Sequence, residues 1–270
     1  EDDEDFAVLL LEDEDVSEII AKFFQDEGVT LHLNAKIAGV GRSMRGVLMT
    51  LEDGTEIAGS HVLFATGRAP NTDKLNLAAV GLETDSRGYV PTDAKLRTKV
   101  PNLWALGDVN RRGAFTHTSY HDHEIVLADL DKIKDRYQWK DADQRPTTYA
   151  MFTDPPLGRV GLSRTEARKL AAEGRNILIA DMKMADISRA KEESETTGLI
   201  RIIVDGDSEA ILGATVFGIA GDEIIAIFSN FMATGASYKI MQQALPVHPT
   251  VAELIPTILA GLKPLAAANA

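Results

Sequence analysis

Leu103-Trp104-Ala105-Leu106-Gly107-Asp108, followed after Arg111-Arg112-Gly113 by Ala114-Phe115-Thr116-His117, is the stretch on which the fold turns. Four apolar residues of strand length close in Gly107-Asp108, and a helix is expected from Thr116 to about Ile133. A short apolar run suits a strand covered on both faces, and the C-terminal end of such a strand is where α/β sheets place ligands. A carboxylate there can accept hydrogen bonds from the hydroxyls of a sugar or sugar alcohol. The start of the next helix offers unbonded N–H groups and a positive dipole end. On the dipeptide alone, an Asp in an ordinary turn is the simpler reading.

Towards the N-terminus, Val62-Leu63-Phe64-Ala65-Thr66 is a second such run, closed by Gly67-Arg68, and is also expected to be a strand buried on both faces. Between the two runs the chain is rich in turn residues, Ala69-Pro70-Asn71-Thr72 and Asp85-Ser86-Arg87-Gly88 among them. Upstream, Val16, Ile19, Ile20, Phe23 and Phe24 share one helical face, which predicts a helix over 15–27 with Asp15 and Glu18 as its capping box and Gly28 as its stop. Val29, Leu31 and Leu33 alternate as a short strand. Ala35–Val40 and Val47–Leu51, closed by Asp53-Gly54, complete a small antiparallel meander. Gly39-x-Gly41 with Gly46 lacks the spacing of a phosphate-binding glycine loop and leads into a strand, so a hairpin loop is the better reading.

Downstream, the polar segment Lys134–Arg145 before Pro146 marks a boundary near residue 145. Strands are expected at Thr148–Phe152, Ile177–Ala180, Leu199–Val204 and Ile211–Phe217, with turns at Asp154-Pro155-Pro156 and Asp205-Gly206-Asp207. Ser163 with Glu166 is a capping box for one helix. A second helix runs from Asp222 to about Thr234, with Ile224, Ile227, Phe228 and Phe231 on one face. This order favours an antiparallel sheet flanked by helices, an α+β layer.

Composition removes several chemistries. Among 270 residues there is no cysteine, so the chain supplies no disulfide, thiolate nucleophile, Cys-ligated metal or redox dithiol. The net charge of −13 argues against nucleic acid and anionic membranes as partners. The acidic start, Glu1 to Asp5, does not resemble a signal peptide, and no apolar run approaches membrane-spanning length, so a cytoplasmic protein is expected.

Two histidine groupings stand out. His117, His121 and Glu124 fall at i, i+4 and i+7, a spacing that permits a metal; without a further ligand, polar residues on a ligand-facing helix explain them better, and no metal site is assigned. His248-Pro249-Thr250-x-x-Glu253 offers an imidazole with a carboxylate that would fix its tautomer, which makes a general acid/base. Thr250 capping a helix, with Glu253 as its capping-box partner, is the alternative, and both can hold. Pro256 is expected to kink or restart that helix.

Together these segments resemble the FAD-dependent pyridine nucleotide–disulfide oxidoreductases, the group of glutathione reductase, lipoamide dehydrogenase and mercuric reductase. Three ordered motifs carry the resemblance: Ala65-Thr66-Gly67-Arg68-Ala69-Pro70-Asn71-Thr72, Ala105-Leu106-Gly107-Asp108 with Ala114-Phe115-Thr116-His117, and His248-Pro249-Thr250-Val251-Ala252-Glu253. Asp154-Pro155-Pro156-Leu157-Gly158-Arg159-Val160-Gly161 is similar to the opening of the family's dimerisation domain. The resemblance implies that Gly67, Arg68, Gly107, Asp108, Ala114, Phe115, Thr116 and His117 belong to the cofactor-binding set, Asp108 holding the flavin ribityl chain. It also implies that His248 and Glu253 are catalytic in the partner subunit of a homodimer.

The implied fold is α/β plus α+β: the latter half of an NAD(P)-binding, Rossmann-like domain over 1–68, the second segment of an FAD-binding domain over 69–145, and a dimerisation domain with an antiparallel sheet over 146–270. Hydride would pass from NAD(P)H through FAD to a cysteine pair that this chain does not carry. With no ADP-binding glycine fingerprint, the chain alone is left open as binding neither cofactor. The Arg112–Ser119 and Asp154–Gly161 wording is mercuric-reductase-like, whereas the His-Pro-Thr-x-x-Glu ending is that of members acting on disulfides. A shortened enzyme is the first expectation and a non-catalytic dimerisation module the alternative. Half a doubly wound domain should leave an uncovered apolar face before residue 69.

Overall fold

The computed structural model describes residues 12–44, 46–130 and 141–266. The chain divides into two compact units, Glu1–Arg68 and Ala69–Ala270.

The first unit holds helix α1 (Glu14–Asp26) and a three-stranded antiparallel meander, β1 (Ile37–Ser43), β2 (Gly46–Leu51) and β3 (Glu56–Gly59). The helix begins one residue earlier than expected: Asp13 takes the cap position and Asp15 lies inside the first turn, where its Oδ1 accepts from Val16 N at 3.0 Å. Gly28, at φ +85°, ends it with two bonds that reach back over the last turn, Gly28 N to Gln25 O at 3.0 Å and Val29 N to Phe24 O at 2.9 Å. Asp53-Gly54 turns β2 into β3, with Thr55 N donating to Asp53 Oδ1 at 2.8 Å.

Two expected strands of this unit are not formed. Val29–Leu33 is irregular, and Val62–Thr66 forms no regular element and is exposed, Leu63 at 88 % and Phe64 at 60 %. A strand exists only where a neighbour completes its ladder, and no described residues pair with either run. Val29, Leu33, Ile37, Val40, Val62, Leu63 and Phe64 are exposed apolar side chains of this unit.

The second unit opens with turns. Asp85 Oδ1 accepts from Arg87 N and Tyr89 N, and Thr72 Oγ1 donates to Gly88 O at 2.7 Å, fastening the two predicted turns together. Leu82, Val90 and Ala105 make the small core beneath them. Leu103–Leu106 is a third correction. It joins no sheet; its backbone bonds the 96–98 segment through Thr98 N to Leu103 O and Ala105 N to Leu96 O. Gly107–Asn110 follows as a 3-10 turn, and α2 spans Thr116–Asp129. Much of the expected linker over 134–145, and the last residues of the expected helix, lie outside the described residues.

Six antiparallel strands follow: β4 (Thr148–Met151), β5 (Leu157–Gly161), β6 (Ile177–Lys183), β7 (Leu199–Asp205), β8 (Ile211–Phe217) and β9 (Lys263–Pro264), in the order β4-β5-β8-β7-β6-β9. Their helices are α3 (Arg164–Ala172), α4 (Ser188–Glu192), α5 (Gly221–Thr234), α6 (Tyr238–Gln242) and α7 (Ile255–Ala260). Every residue of β7 is buried because both sheet faces are covered. Val160, Ile200, Ile202, Ala214 and Val216 pack on α5 and α7. Ile177, Ile179 and Ile203 pack on Ala167 of α3. Ser163 caps α3 as expected: Ser163 N donates to Glu166 Oε2 at 2.7 Å and Glu166 N to Ser163 Oγ at 3.0 Å. On α5 the packed residues are Ile224, Ile225 and Phe228, whereas Ile227, expected on that face, is exposed.

Candidate functional site

The Gly107 turn is held from beneath and open above. Gly107 adopts φ +71°, and a Cβ there would stand 2.9 Å from Ser119 Oγ, so only glycine lets α2 approach this closely. Gly113, at φ +141°, meets Thr118 in the same way. The chain therefore turns twice against the first turns of α2 and leaves Asp108, Ala114, Phe115, Thr116 and His117 exposed around the start of that helix. The first helical bond is Ser119 N to Phe115 O at 3.0 Å, so the N–H groups of Thr116 and His117 precede the helical ladder. Phe115 N is taken by Thr118 Oγ1 at 3.1 Å.

Beneath the turn lies a polar network that motif reading missed. Asp122, 1 % exposed, accepts from Gly107 N and Asn110 Nδ2 on one oxygen and from Arg145 Nη1 on the other, at 2.8, 2.8 and 2.7 Å. Its signal was present in the sequence: Thr118, Asp122 and Ile125 form the buried stripe of α2, and an acid within such a stripe requires a buried donor. The grouping of His117, His121 and Glu124 drew attention to the neighbouring face. There His117 Nε2 donates to Thr148 O at 2.7 Å, while His121 Nδ1 lies 3.4 Å from Arg145 Nη1. Among the described residues no cluster of three metal-ligating side chains occurs.

Beside the helix start, Phe115 stacks with both His117 and Tyr149, with centroids 5.2 and 6.0 Å away and rings 12° and 5° from parallel. Arg159, from β5, lies against the Tyr149 ring at 6.0 Å. This aromatic step joins the segment carrying Asp108 to the edge strand of the large sheet.

His248 and Glu253 form a second cluster. Glu253 Oε2 accepts from His248 Nδ1 at 2.8 Å, and the imidazole is 78 % exposed while the carboxylate is largely covered. Thr250 Oγ1 donates to Val247 O at 2.7 Å and accepts from Glu253 N at 3.2 Å. Thr250 thus caps the following 3-10 turn, but the Glu253 side chain turns to the histidine. With Nδ1–H facing the carboxylate, Nε2 is the nitrogen left to exchange a proton. Pro256 occupies the start of α7, where its missing N–H costs nothing, and so restarts the helix. Gly67 and Arg68 lie exposed at the end of the first unit.

Residues 6–122 match the family model described as pyridine nucleotide-disulphide oxidoreductase, and residues 147–258 match its dimerisation domain. The chain is 31 % identical over 242 residues to the probable pyridine nucleotide-disulfide oxidoreductase RclA of Escherichia coli K12, covering 90 % of this chain and 53 % of that protein. It is 29 % identical over 243 residues to dihydrolipoyl dehydrogenase of Bacillus subtilis 168, covering 88 % and 50 %. A solved structure of the HOCl-induced flavoprotein disulfide reductase RclA from E. coli superposes with a TM-score of 0.83 at 30 % identity, over 94 % of this chain and 57 % of that one. The chain spans about half the length of the curated relatives it matches.

Proposed function

Because the chain belongs to the pyridine nucleotide-disulphide oxidoreductase family, we propose that it supplies the second flavin-binding segment and the interface domain of a homodimeric NAD(P)H oxidoreductase. In this reading 1–68 is the latter half of the NAD(P) domain, 69–145 the flavin segment and 146–270 the dimerisation domain. The cytoplasm is the proposed location; no helix among the described residues is long and apolar enough to cross a membrane.

The residues present fit a flavin. An exposed carboxylate at Asp108 suits ribityl hydroxyls, Gly107 and Gly113 let the chain lie close against Ser119 and Thr118 of α2, and the Thr116 and His117 amides at the start of that helix would suit an electron-rich group. Gly67, Arg68, Ala114 and Phe115 complete the proposed set. A bound FAD would supply hydride exchange between a nicotinamide and a cysteine pair. Asp108 would orient the ribityl chain, and the start of α2 would lie beside the ring. His248, oriented by Glu253, would take and return a thiol proton at Nε2 in the partner subunit.

The observation that carries the proposal is the His248–Glu253 pair: an imidazole fixed in tautomer by a covered carboxylate yet exposed on its own chain, as suits a group that works on a second copy. We favour a disulfide as substrate, with a mercuric-reductase-like reaction as the second reading on the wording of Arg112–Ser119 and Asp154–Gly161.

Two measurements test this. Sedimentation at micromolar concentration should give a dimer, and a monomer would count against it. In the flavin-loaded homodimer, His248→Asn should lower NAD(P)H-dependent disulfide reduction by roughly 10²–10⁴-fold. Unchanged turnover would remove His248 from the chemistry. A dimer that binds no flavin and oxidises no NAD(P)H would favour a non-catalytic assembly module.

A further inference from the structure

Both oxygens of the Asp122 carboxylate are committed to one task. Oδ2 reaches the Gly107 amide and the Asn110 side chain, the two ends of the Gly107–Asn110 turn, each at 2.8 Å. Oδ1 is held by Arg145 Nη1 at 2.7 Å, and Arg145 also donates to the carbonyls of Thr118 at 3.1 Å and Arg112 at 2.7 Å. Asn110 Nδ2 donates on to Ala105 O at 3.0 Å, and Asn110 Oδ1 accepts from Arg112 N at 2.8 Å. The network thus spans the residues before, within and after the turn, and Arg145 ties it to the chain entering β4.

We infer that Asp122, with Arg145 as its buried counter-ion, is the positioning residue that fixes the Gly107–Asn110 turn and so sets where Asp108 presents its carboxylate. The inference rests on the flavin reading only for what Asp108 meets. Asp108 is exposed, so its direction is set by the backbone beneath it. That backbone passes through a glycine at φ +71°, a residue type with several accessible conformations, and the bond from Gly107 N to Asp122 selects one of them. A buried ion pair is a poor way to gain stability, since apolar residues of the same volume serve as well. Its use here is geometric: charge-assisted bonds are short and directional. Asn in place of Asp122 keeps the volume but presents an NH2 group to at least one donor.

Amide hydrogen exchange of the 270-residue chain tests the inference. In Asp122→Asn and in Arg145→Met, exchange at Gly107 should quicken by roughly 10–100-fold while β7 and β8 amides keep their rates. Arg145→Lys, which retains the charge, should restore much of the protection. Gly107 exchange that stays at the parent rate, or that rises only in step with β7 and β8, overturns the inference. Should Asp122→Asn not fold, Asn110→Ala leaves the ion pair in place and is read by the same two criteria. A second arm titrates FAD, followed by flavin fluorescence, into the flavin-binding holoenzyme stripped of cofactor. Asp108→Asn and Asp122→Asn should each weaken binding, and the double variant should be no weaker than the poorer single one. Fully additive losses overturn the route through Asp108. If Asp108→Asn binds FAD as the parent does while the Gly107 result stands, the flavin reading falls and the positioning of the turn does not.

Discussion

Replacing Gly158 by alanine tests the packing of the large sheet at a single atom. Gly158 lies in β5 between Ala150 and Val216, and a Cβ there would stand 2.3 Å from Gly221 O and 2.7 Å from Ile225 Cβ. Carbon contacts settle at about 3.5 Å, so α5 would have to retreat by about 1 Å, and a gap of that size forfeits a quarter to a half of each dispersion contact it opens. The contacts at risk are those of Ile224, Ile225 and Phe228, all in the main core. Overpacking costs about 1–3 kcal/mol, and the upper end is expected because one obstructing atom belongs to the backbone. For a unit of this size about 3 kcal/mol corresponds to roughly 6–12 °C in Tm. Urea unfolding followed by far-UV circular dichroism should show the midpoint falling with an unchanged slope. Gly39→Ala is the control, since a Cβ there meets nothing within 4 Å, and it should cost less than about 0.5 kcal/mol. A Gly158→Ala midpoint equal to that of the control would refute the close approach of α5 to β5.

Other expectations follow from the same contacts. Ser163→Ala removes a reciprocal cap and should destabilise the second unit by about 1 kcal/mol in chemical denaturation, with Glu166→Gln losing less. Acid should destabilise the protein in a defined way. Arg97 and then Trp104 hold Asp129 below the usual carboxylate range, and the Ser208 amide followed by Arg175 does the same for Asp205. A carboxylate whose folded pKa is depressed stabilises above its unfolded pKa, near 3.9, and loses that contribution as pH falls through the folded value. Stability measured from pH 6 to pH 2 should therefore decline below about pH 4, and Asp129→Asn should flatten part of the decline. A curve identical to the parent's would exclude Asp129 from the linkage.

The elements legible in the sequence are those whose neighbours are also present in the chain. β6, β7, β8 and α5 came from β-branched runs and helical periodicity, and α3 from its cap. Val62–Thr66 has the same composition as a buried strand yet forms none, because pairing is a property of two segments and composition belongs to one. Leu103–Leu106 has only the short 96–98 segment beside it and stays outside any sheet. Ile227 shows the limit of periodicity, since a face wide enough to hold Ile224 and Phe228 extends to Ile225 on one side and not to Ile227 on the other.

In the proposed site, Asp108, His248 and Glu253 are legible because each sits in a short local motif. Asp122 and Arg145 are not. They are 23 residues apart, and nothing in either neighbourhood states that the two side chains meet. The clue was indirect, an acid in register with the buried stripe of α2 that only a distant cation could satisfy.

If this chain carries the flavin-turn and proton-handling part of a redox enzyme, as proposed, the coding sequence upstream of Glu1 holds a G-x-G-x-x-G segment and a cysteine pair in frame, and the longest in-frame product, once expressed, is a yellow dimer that oxidises NAD(P)H. A frame without either motif, yielding a colourless protein that leaves NAD(P)H untouched, would contradict it.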